Sequence, residues 1–318
     1  MTRPLSKPEA LIESLGLDPA LLPAARAANE TFALRVPPAW LARIRPGDPD
    51  DPLLKQILPV ADELDERPGF VADPLEERAA TRAPGLLQKY AGRALLVTTQ
   101  ACAIHCRYCF RREFPYDEQT SEEGGRWSEA LATIAADPSI EEVILSGGDP
   151  LTLSDARLRQ LTDAIGAMPH VRRLRVHTRQ PVVQPARVDE GLIAWLGAIR
   201  LPTVFVLHVN HPNEIDAEVR AACARLKAAG VTLLNQSVLL KGVNDDVDTL
   251  QRLSVDLVDA GVLPYYLHLP DRVRGTAHFD VAEERARTLV AGLAARLSGY
   301  LVPRLVREIP GAPAKMPV

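Results

Sequence analysis

Three of the four cysteines in this chain fall within eight residues, as Cys102-Ala-Ile-His-Cys106-Arg-Tyr-Cys109. Thiolates are the ligands that suit iron–sulfur clusters and zinc. The spacing C-x3-C-x2-C sets three of them on one loop, enough for three corners of a cubane. The fourth iron is then free to chelate a small molecule through an amino and a carboxylate group. Zinc is the alternative, with His105 or a distant residue as fourth ligand. Zinc sites usually pair ligands as C-x2-C with a second pair later, and the sequence has no second Cys pair. Cys223 stands alone in AEVRAACARLKAAG and reads as a buried structural thiol.

Other residues carry chemistry only in company. Ser146-Gly147-Gly148-Asp149-Pro150 places small residues where backbone carbonyls can approach a ligand closely, although most such runs are simple turns. Arg111, two residues after Cys109, offers a guanidinium fork that suits a carboxylate; the plainer reading of Arg111, Arg112 and Glu113 is a solvated charge run. Asp271, in LPDRVRG, reads alone as a turn carboxylate, and Lys315 as a solvated tail residue. His208 and Gln236 lie on strand-like runs, where an inward polar side chain needs a partner.

The elements that position these residues follow from the apolar pattern. From about residue 93, six β-branched or apolar runs alternate with amphipathic stretches: RALLVTT, EEVILSG, RRLRVHT, TVFVLHV, TLLNQSVLL and LPYYLHL. SDARLRQLTDAIGAM and DAEVRAACARLKAAG are helix candidates between them. Such alternation implies βαβ units and a parallel sheet. The fold class expected is α/β, a partial (β/α)6 barrel of TIM type with a helical N-terminal extension. In barrels of that kind the active site sits at the C-terminal ends of the strands. The polar clusters QACAIHC, SGGDP, HTRQP, HVNHP and HLPD all follow apolar runs, so they converge on one cavity. Residues 1–90, rich in Pro, contain helix-like pieces such as PEALIESLG and PPAWLARIR and a loop, RPGDPDDP. They are expected to form an extension packed on a core of residues 91–318, or else a separate small domain.

The net charge of -4 argues against a general nucleic-acid binder, which usually carries a basic excess. No apolar run approaches the roughly 20 residues that span a bilayer. The N-terminus lacks a basic region followed by a continuous apolar one, so the expected location is the cytoplasm.

The cysteine motif, with Tyr108 before its last Cys, and the SGGDP loop one βα unit later resemble the radical S-adenosylmethionine superfamily. A narrower resemblance covers the chain from about residue 50 onward. CRYCFRREF, DPLLKQILP, RVHTRQPVV, HVNHPNE, NQSVLLKGVND and YYLHLPD together resemble the lysine 2,3-aminomutase family.

That resemblance implies a [4Fe–4S] cluster on Cys102, Cys106 and Cys109, and S-adenosylmethionine beside Tyr108, Ser146, Gly147, Gly148, Asp149, His208 and Gln236. It also implies pyridoxal phosphate held as a Schiff base on Lys315, in REIPGAPAK, with Tyr90 and Arg93 in contact. Arg111 matches the family's arginine for the substrate carboxylate. Asp271 and Glu308 match the two acids that bind the ammonium of lysine. Glu308 stands where catabolic members have Asp, and PGAPA stands where they have a run of glycines.

The implied reaction starts when the cluster, reduced by an external one-electron donor, passes one electron to S-adenosylmethionine. The resulting 5′-deoxyadenosyl radical takes a hydrogen from C3 of lysine, nitrogen moves from C2 to C3, hydrogen returns from 5′-deoxyadenosine to C2, and β-lysine is released. The lack of any cysteine after Cys223 and the EIPGAPAKMP ending resemble the bacterial branch that makes (R)-β-lysine for modification of translation elongation factor P, where a separate ligase attaches it. A catabolic or osmolyte-forming lysine 2,3-aminomutase is the alternative within the family. A non-catalytic Fe–S or zinc sensor module is the alternative of another class. A homo-oligomer is the base-rate expectation for a soluble enzyme.

Overall fold

The computed structural model describes residues 3–116 and 127–318. Among the described residues, ten strands form one sheet in chain order. The six expected strands are all present: β3 (Arg93–Thr99), β4 (Glu142–Gly147), β5 (Arg173–Thr178), β6 (Thr203–Leu207), β7 (Thr232–Val238) and β8 (Leu263–His268). Each pairs in parallel with the next. β9 (Arg304–Arg307) extends the parallel run.

Between consecutive strands of this run lie the helices Ser128–Ala136, Asp155–Gly166, Glu190–Ala198, Ala217–Ala228, Val247–Asp259 and Glu283–Ala294. Their starts are encoded locally. Ser154, Asp189, Asp216 and Asp246 each accept a hydrogen bond from a first-turn backbone N–H, which satisfies an otherwise orphaned donor.

Strand alternation divides the side chains. On β5, Leu174 and Val176 are buried in the core, while Arg175 and His177 face a central cavity. In-register neighbours make rows across the wall, such as Leu95, Ile144 and Arg175, all of which line that cavity.

Four strands lie outside the sequence expectation. β1 (Thr81–Ala83) and β2 (Leu86–Tyr90) form an antiparallel pair that continues onto β3. At the other edge, β9 pairs antiparallel with β10 (Met316–Pro317). No pairing joins β1 to β10 among the described residues, so the barrel is open.

The N-terminal helices Pro8–Leu15 and Leu22–Thr31 share one apolar core with the sheet, which includes Leu11, Trp40, Leu53, Leu96, Trp195 and Phe205. No helix among the described residues is long and apolar enough to cross a membrane.

Candidate active site

The strand ends enclose a cavity of about 320 Å³, a size usual for small-molecule sites. Every site residue expected from the sequence lines it: Tyr90, Arg93, Cys102, Cys106, Tyr108, Cys109, Arg111, Ser146, Gly147, Gly148, Asp149, His208, Gln236, Asp271, Glu308 and Lys315.

The cysteine loop is braced from the N-terminal segment. Arg107 lies inside that loop with no exposed side chain, and its Nε donates to Glu63 Oε1 at 2.8 Å. Its Nη1 donates to the Phe32 carbonyl at 2.6 Å. Arg112 Nη2 donates to the same Glu63 at 2.8 Å. Arg112 is therefore a buried strut, not part of a solvated charge run. A buried ion pair adds little net stability, but it fixes geometry that would be expensive to break. His105 Nδ1 lies 2.7 Å from the Ala33 carbonyl and the ring stacks on Phe32, so His105 is occupied outside the cavity.

Three cysteines face the cavity and none is in a disulfide. Burial pushes the Cys109 thiol up to about 11 and also raises Cys102. Their ionisation calls for a bound cationic centre, since coordination deprotonates a thiol outright. Among the described residues no compact trio of His, Cys, Asp or Glu forms around one ion; a cubane instead takes each thiolate on a different iron. The donor set fits a cluster.

The SGGDP loop is knitted to the cysteine loop. Gly148 N–H donates to the Thr99 carbonyl at 2.7 Å, and Asp149 N–H to the Ala101 carbonyl at 2.8 Å. A Cβ on Gly148 would stand 2.4 Å from the Ala101 oxygen, and one on Gly147 2.5 Å from the Thr99 oxygen. Only glycine allows this approach. The Asp149 carboxylate accepts from Thr178 Oγ1, Leu151 N, Arg179 N and Gln180 N, at 2.7, 3.0, 2.7 and 3.0 Å. It pins the end of β5, and the Asp149 carbonyl in turn accepts from Thr152 N at 3.0 Å and Thr152 Oγ1 at 2.7 Å, so the residue holds the loop in shape.

His208 stacks on Tyr108, and its Nε2 lies 2.9 Å from the Tyr108 hydroxyl. Burial holds His208 and His177 well below the ordinary histidine range and brings His268 to about 3, so all three rings are neutral.

The same cavity is lined by a chain of alternating charges. Arg111 pairs with Glu77; Lys89 Nζ lies 3.0 Å from Glu77 and 2.8 Å from Glu308; Lys315 Nζ also donates to Glu308. Burial acts to raise Glu308, but the two ammonium groups outweigh it and hold the carboxyl well below its usual range. Asp271, by contrast, is pushed up to about 7, by burial first and by Glu308 second. β10 begins one residue after Lys315 and lies along β9, which brings that side chain to the cavity.

Several polar atoms here are buried with no partner: the Tyr90 hydroxyl, His177 Nε2 and His268 Nε2. Buried polar groups are nearly always satisfied, so these point to a polar ligand beside Lys315. The arrangement fits pyridoxal phosphate. Arg93 stacks over the Tyr90 ring at 4.5 Å, which adds a cation to the same wall.

Sequence reasoning assigned no role to Glu77, Lys89, His177, Arg179 or His268, all of which line the cavity. The last three lie inside the motifs RVHTRQPVV and YYLHLPD, and their place at strand ends was the available signal. Glu77 and Lys89 come from the segment before the first expected strand.

The model of the Radical SAM superfamily matches residues 96–253. An L-lysine 2,3-aminomutase of Escherichia coli (strain K12) is 49% identical over 315 residues, 99% of this chain and 92% of that protein. One of Haemophilus influenzae is 47% identical over 311 residues, 98% of this chain and 92% of that protein. A solved radical SAM methyltransferase from Sphaerobacter thermophilus superposes with a TM-score of 0.50 over 70% of this chain and 68% of its own; at 17% identity the likeness is one of fold alone. Identity near half, over almost the whole of both proteins, leaves one assignment: the chain belongs to the L-lysine 2,3-aminomutase family within the radical SAM superfamily.

Proposed function

We propose that this protein converts (S)-α-lysine to (R)-β-lysine with a [4Fe–4S] cluster, S-adenosylmethionine and pyridoxal phosphate. The observation that carries the reading is one cavity holding three cysteines, a glycine loop, a lysine amine and two acids. When bound, the cluster supplies the electron that cleaves S-adenosylmethionine to a hydrogen-abstracting radical, and pyridoxal phosphate supplies the conjugated carbonyl that carries the migrating amino group.

The protein's part is placement. Cys102, Cys106 and Cys109 hold the cluster. Tyr108, Ser146, Gly147, Gly148, His208 and Gln236 surround S-adenosylmethionine, with Asp149 holding the loop that meets it. Lys315 carries pyridoxal phosphate, flanked by Tyr90 and Arg93. Arg111 takes the α-carboxylate of lysine, and Asp271 with Glu308 takes the ε-ammonium. Burying an ammonium needs paired negative charge, which is why two acids select lysine over glutamate.

Residues 1–90 serve as an extension that braces the cysteine loop and lends Glu77, Lys89 and Tyr90 to the cavity, and 91–318 as the catalytic core that carries the cofactor lysine. The EIPGAPAKMP segment supports a role in making (R)-β-lysine for elongation factor P, with a separate ligase as consumer and an external one-electron donor as supplier.

The test is anaerobic turnover with lysine, glutamate or arginine, each with S-adenosylmethionine, pyridoxal phosphate and a reductant. β-Lysine from lysine alone is expected. Reaction of glutamate or arginine in its place would overturn the assignment of Asp271 and Glu308.

A further inference from the structure

Arg179, just beyond β5, reaches beneath the cysteine loop. Its Nη1 donates to Cys106 Sγ at 2.8 Å. Its Nη2 donates to Gln56 Oε1 at 2.7 Å and to Glu214 Oε2 at 2.9 Å. The guanidinium lies over the Trp40 ring at 4.6 Å. The Arg179 side chain is 7% exposed and that of Glu214 is 0%.

The anchor is itself built. Glu214 Oε1 accepts from Gln56 Nε2, Asn210 N and His211 N, each at 3.0 Å. The Arg179 backbone N–H is held by Asp149 at 2.7 Å. An arginine fixed from several sides, with one N–H aimed at a thiol sulfur, is more than packing. A solvated arginine would need none of these partners.

We propose that Arg179 is a positioning residue for the cluster: it fixes Cys106 by a charged hydrogen bond and raises the cluster's reduction potential. This rests on the reading that Cys102, Cys106 and Cys109 hold the cluster. The physical reason is electrostatic. The cluster gains one negative charge when it accepts an electron from the external donor. A cation hydrogen-bonded to a ligand sulfur in a buried setting stabilises that reduced form more than the oxidised one. No bond forms or breaks at Arg179 and no proton moves. Glu214 and Gln56 hold the fork in register, so that the donor neither swings away nor has to reorganise.

The test is a redox titration of the reconstituted holoenzyme, followed by electron paramagnetic resonance, for wild type, Arg179→Gln and Arg179→Lys. Arg179→Gln keeps a polar partner for Glu214 but loses the charge. Its potential should fall by at least tenfold in the one-electron equilibrium, about 59 mV for n = 1. Arg179→Lys keeps the charge without the fork and should lie between the two. Wild-type potential in Arg179→Gln at full iron content overturns the proposal.

Where Arg179→Gln fails to load iron, wild-type protein labelled with ¹⁵N in the arginine guanidinium groups decides. A ¹⁵N coupling to the reduced cluster, lost in labelled Arg179→Lys, is expected; its absence from wild type overturns the proposal. A wild-type protein that takes up no iron fails earlier, at metal analysis, and removes the cysteine assignment as well.

Discussion

Glu77 and Arg111 meet through two parallel hydrogen bonds, Nε to Oε2 at 2.7 Å and Nη2 to Oε1 at 2.8 Å, with both side chains almost fully buried. The guanidinium proposed for the substrate carboxylate already carries one. Its Nη1 turns to Ser146 Oγ at 3.2 Å. On the proposed reading, the substrate carboxylate meets the guanidinium at that edge. Glu77→Gln leaves a buried cation short of its counter-charge, at a cost of about 3–5 kcal/mol. The pyridoxal phosphate-loaded variant should melt well below wild type. Lysine should raise its Tm more than it raises that of wild type, because the substrate carboxylate supplies the missing charge. Equal lysine-induced shifts would count against Arg111 as the carboxylate site.

Asp271 gives lysine binding a pH dependence. Its carboxyl, pushed up to about 7 by burial and then by Glu308, is protonated in acid and ionised in base. Only the ionised form balances an ammonium. Lysine binding should therefore strengthen as pH rises through about 7, and kcat/KM should fall up to about tenfold per pH unit below it. Asp271→Asn should flatten that limb and raise KM by roughly 30-fold, about 2 kcal/mol. The empty protein behaves in the opposite sense. Its folded carboxyl titrates above the ordinary value of 3.8, so the folded state binds more protons between about pH 4 and 7. The stability contributed is full in acid and is lost as pH rises through that window. Melting curves of Asp271→Asn should lack this loss. Profiles identical to wild type would contradict the account.

Lys315 tests the second cofactor. Lys315→Ala should abolish β-lysine formation and the covalent label left on the C-terminal peptide when borohydride reduces the pyridoxal phosphate adduct. Iron content should stay at the wild-type level, because no described contact links Lys315 to the cysteines. Retained activity would remove Lys315 as the cofactor lysine.

Gly148 tests the joint between two loops. A methyl group there meets the Ala101 oxygen at 2.4 Å, and such overpacking costs typically about 1–3 kcal/mol. Gly148→Ala should displace the start of the cysteine loop, lower iron retention and weaken S-adenosylmethionine binding measured by calorimetry. Wild-type iron content with wild-type affinity would show that the close approach is dispensable.

Much of the barrel was legible because its signals are local. Each of the six strands is an apolar run, five of them followed by a polar cluster, and helix starts such as Asp189 and Asp216 carry their own caps. The hairpin β1–β2 was not legible: TRAPGLLQKY offers short, mixed runs, and its pairing is decided by the neighbouring strand β3. The same holds for β10, a two-residue strand made by register with β9. Among site residues, the cysteines announce themselves by spacing. Glu77 and Lys89 do not, because their roles arise from partners as distant in sequence as Arg111 and Glu308. Arg112 read as surface charge for the same reason: Glu63, which buries it, lies in a different part of the chain.

The central claim is that one cavity aims the radical chemistry of the cluster site at a lysine held near Lys315. Anaerobic turnover of lysine deuterated at C3 tests it most directly. The account predicts deuterium in 5′-deoxyadenosine and at C2 of the β-lysine formed. β-Lysine with all of its deuterium still at C3 and none in 5′-deoxyadenosine, or no β-lysine from iron-loaded protein, would contradict it.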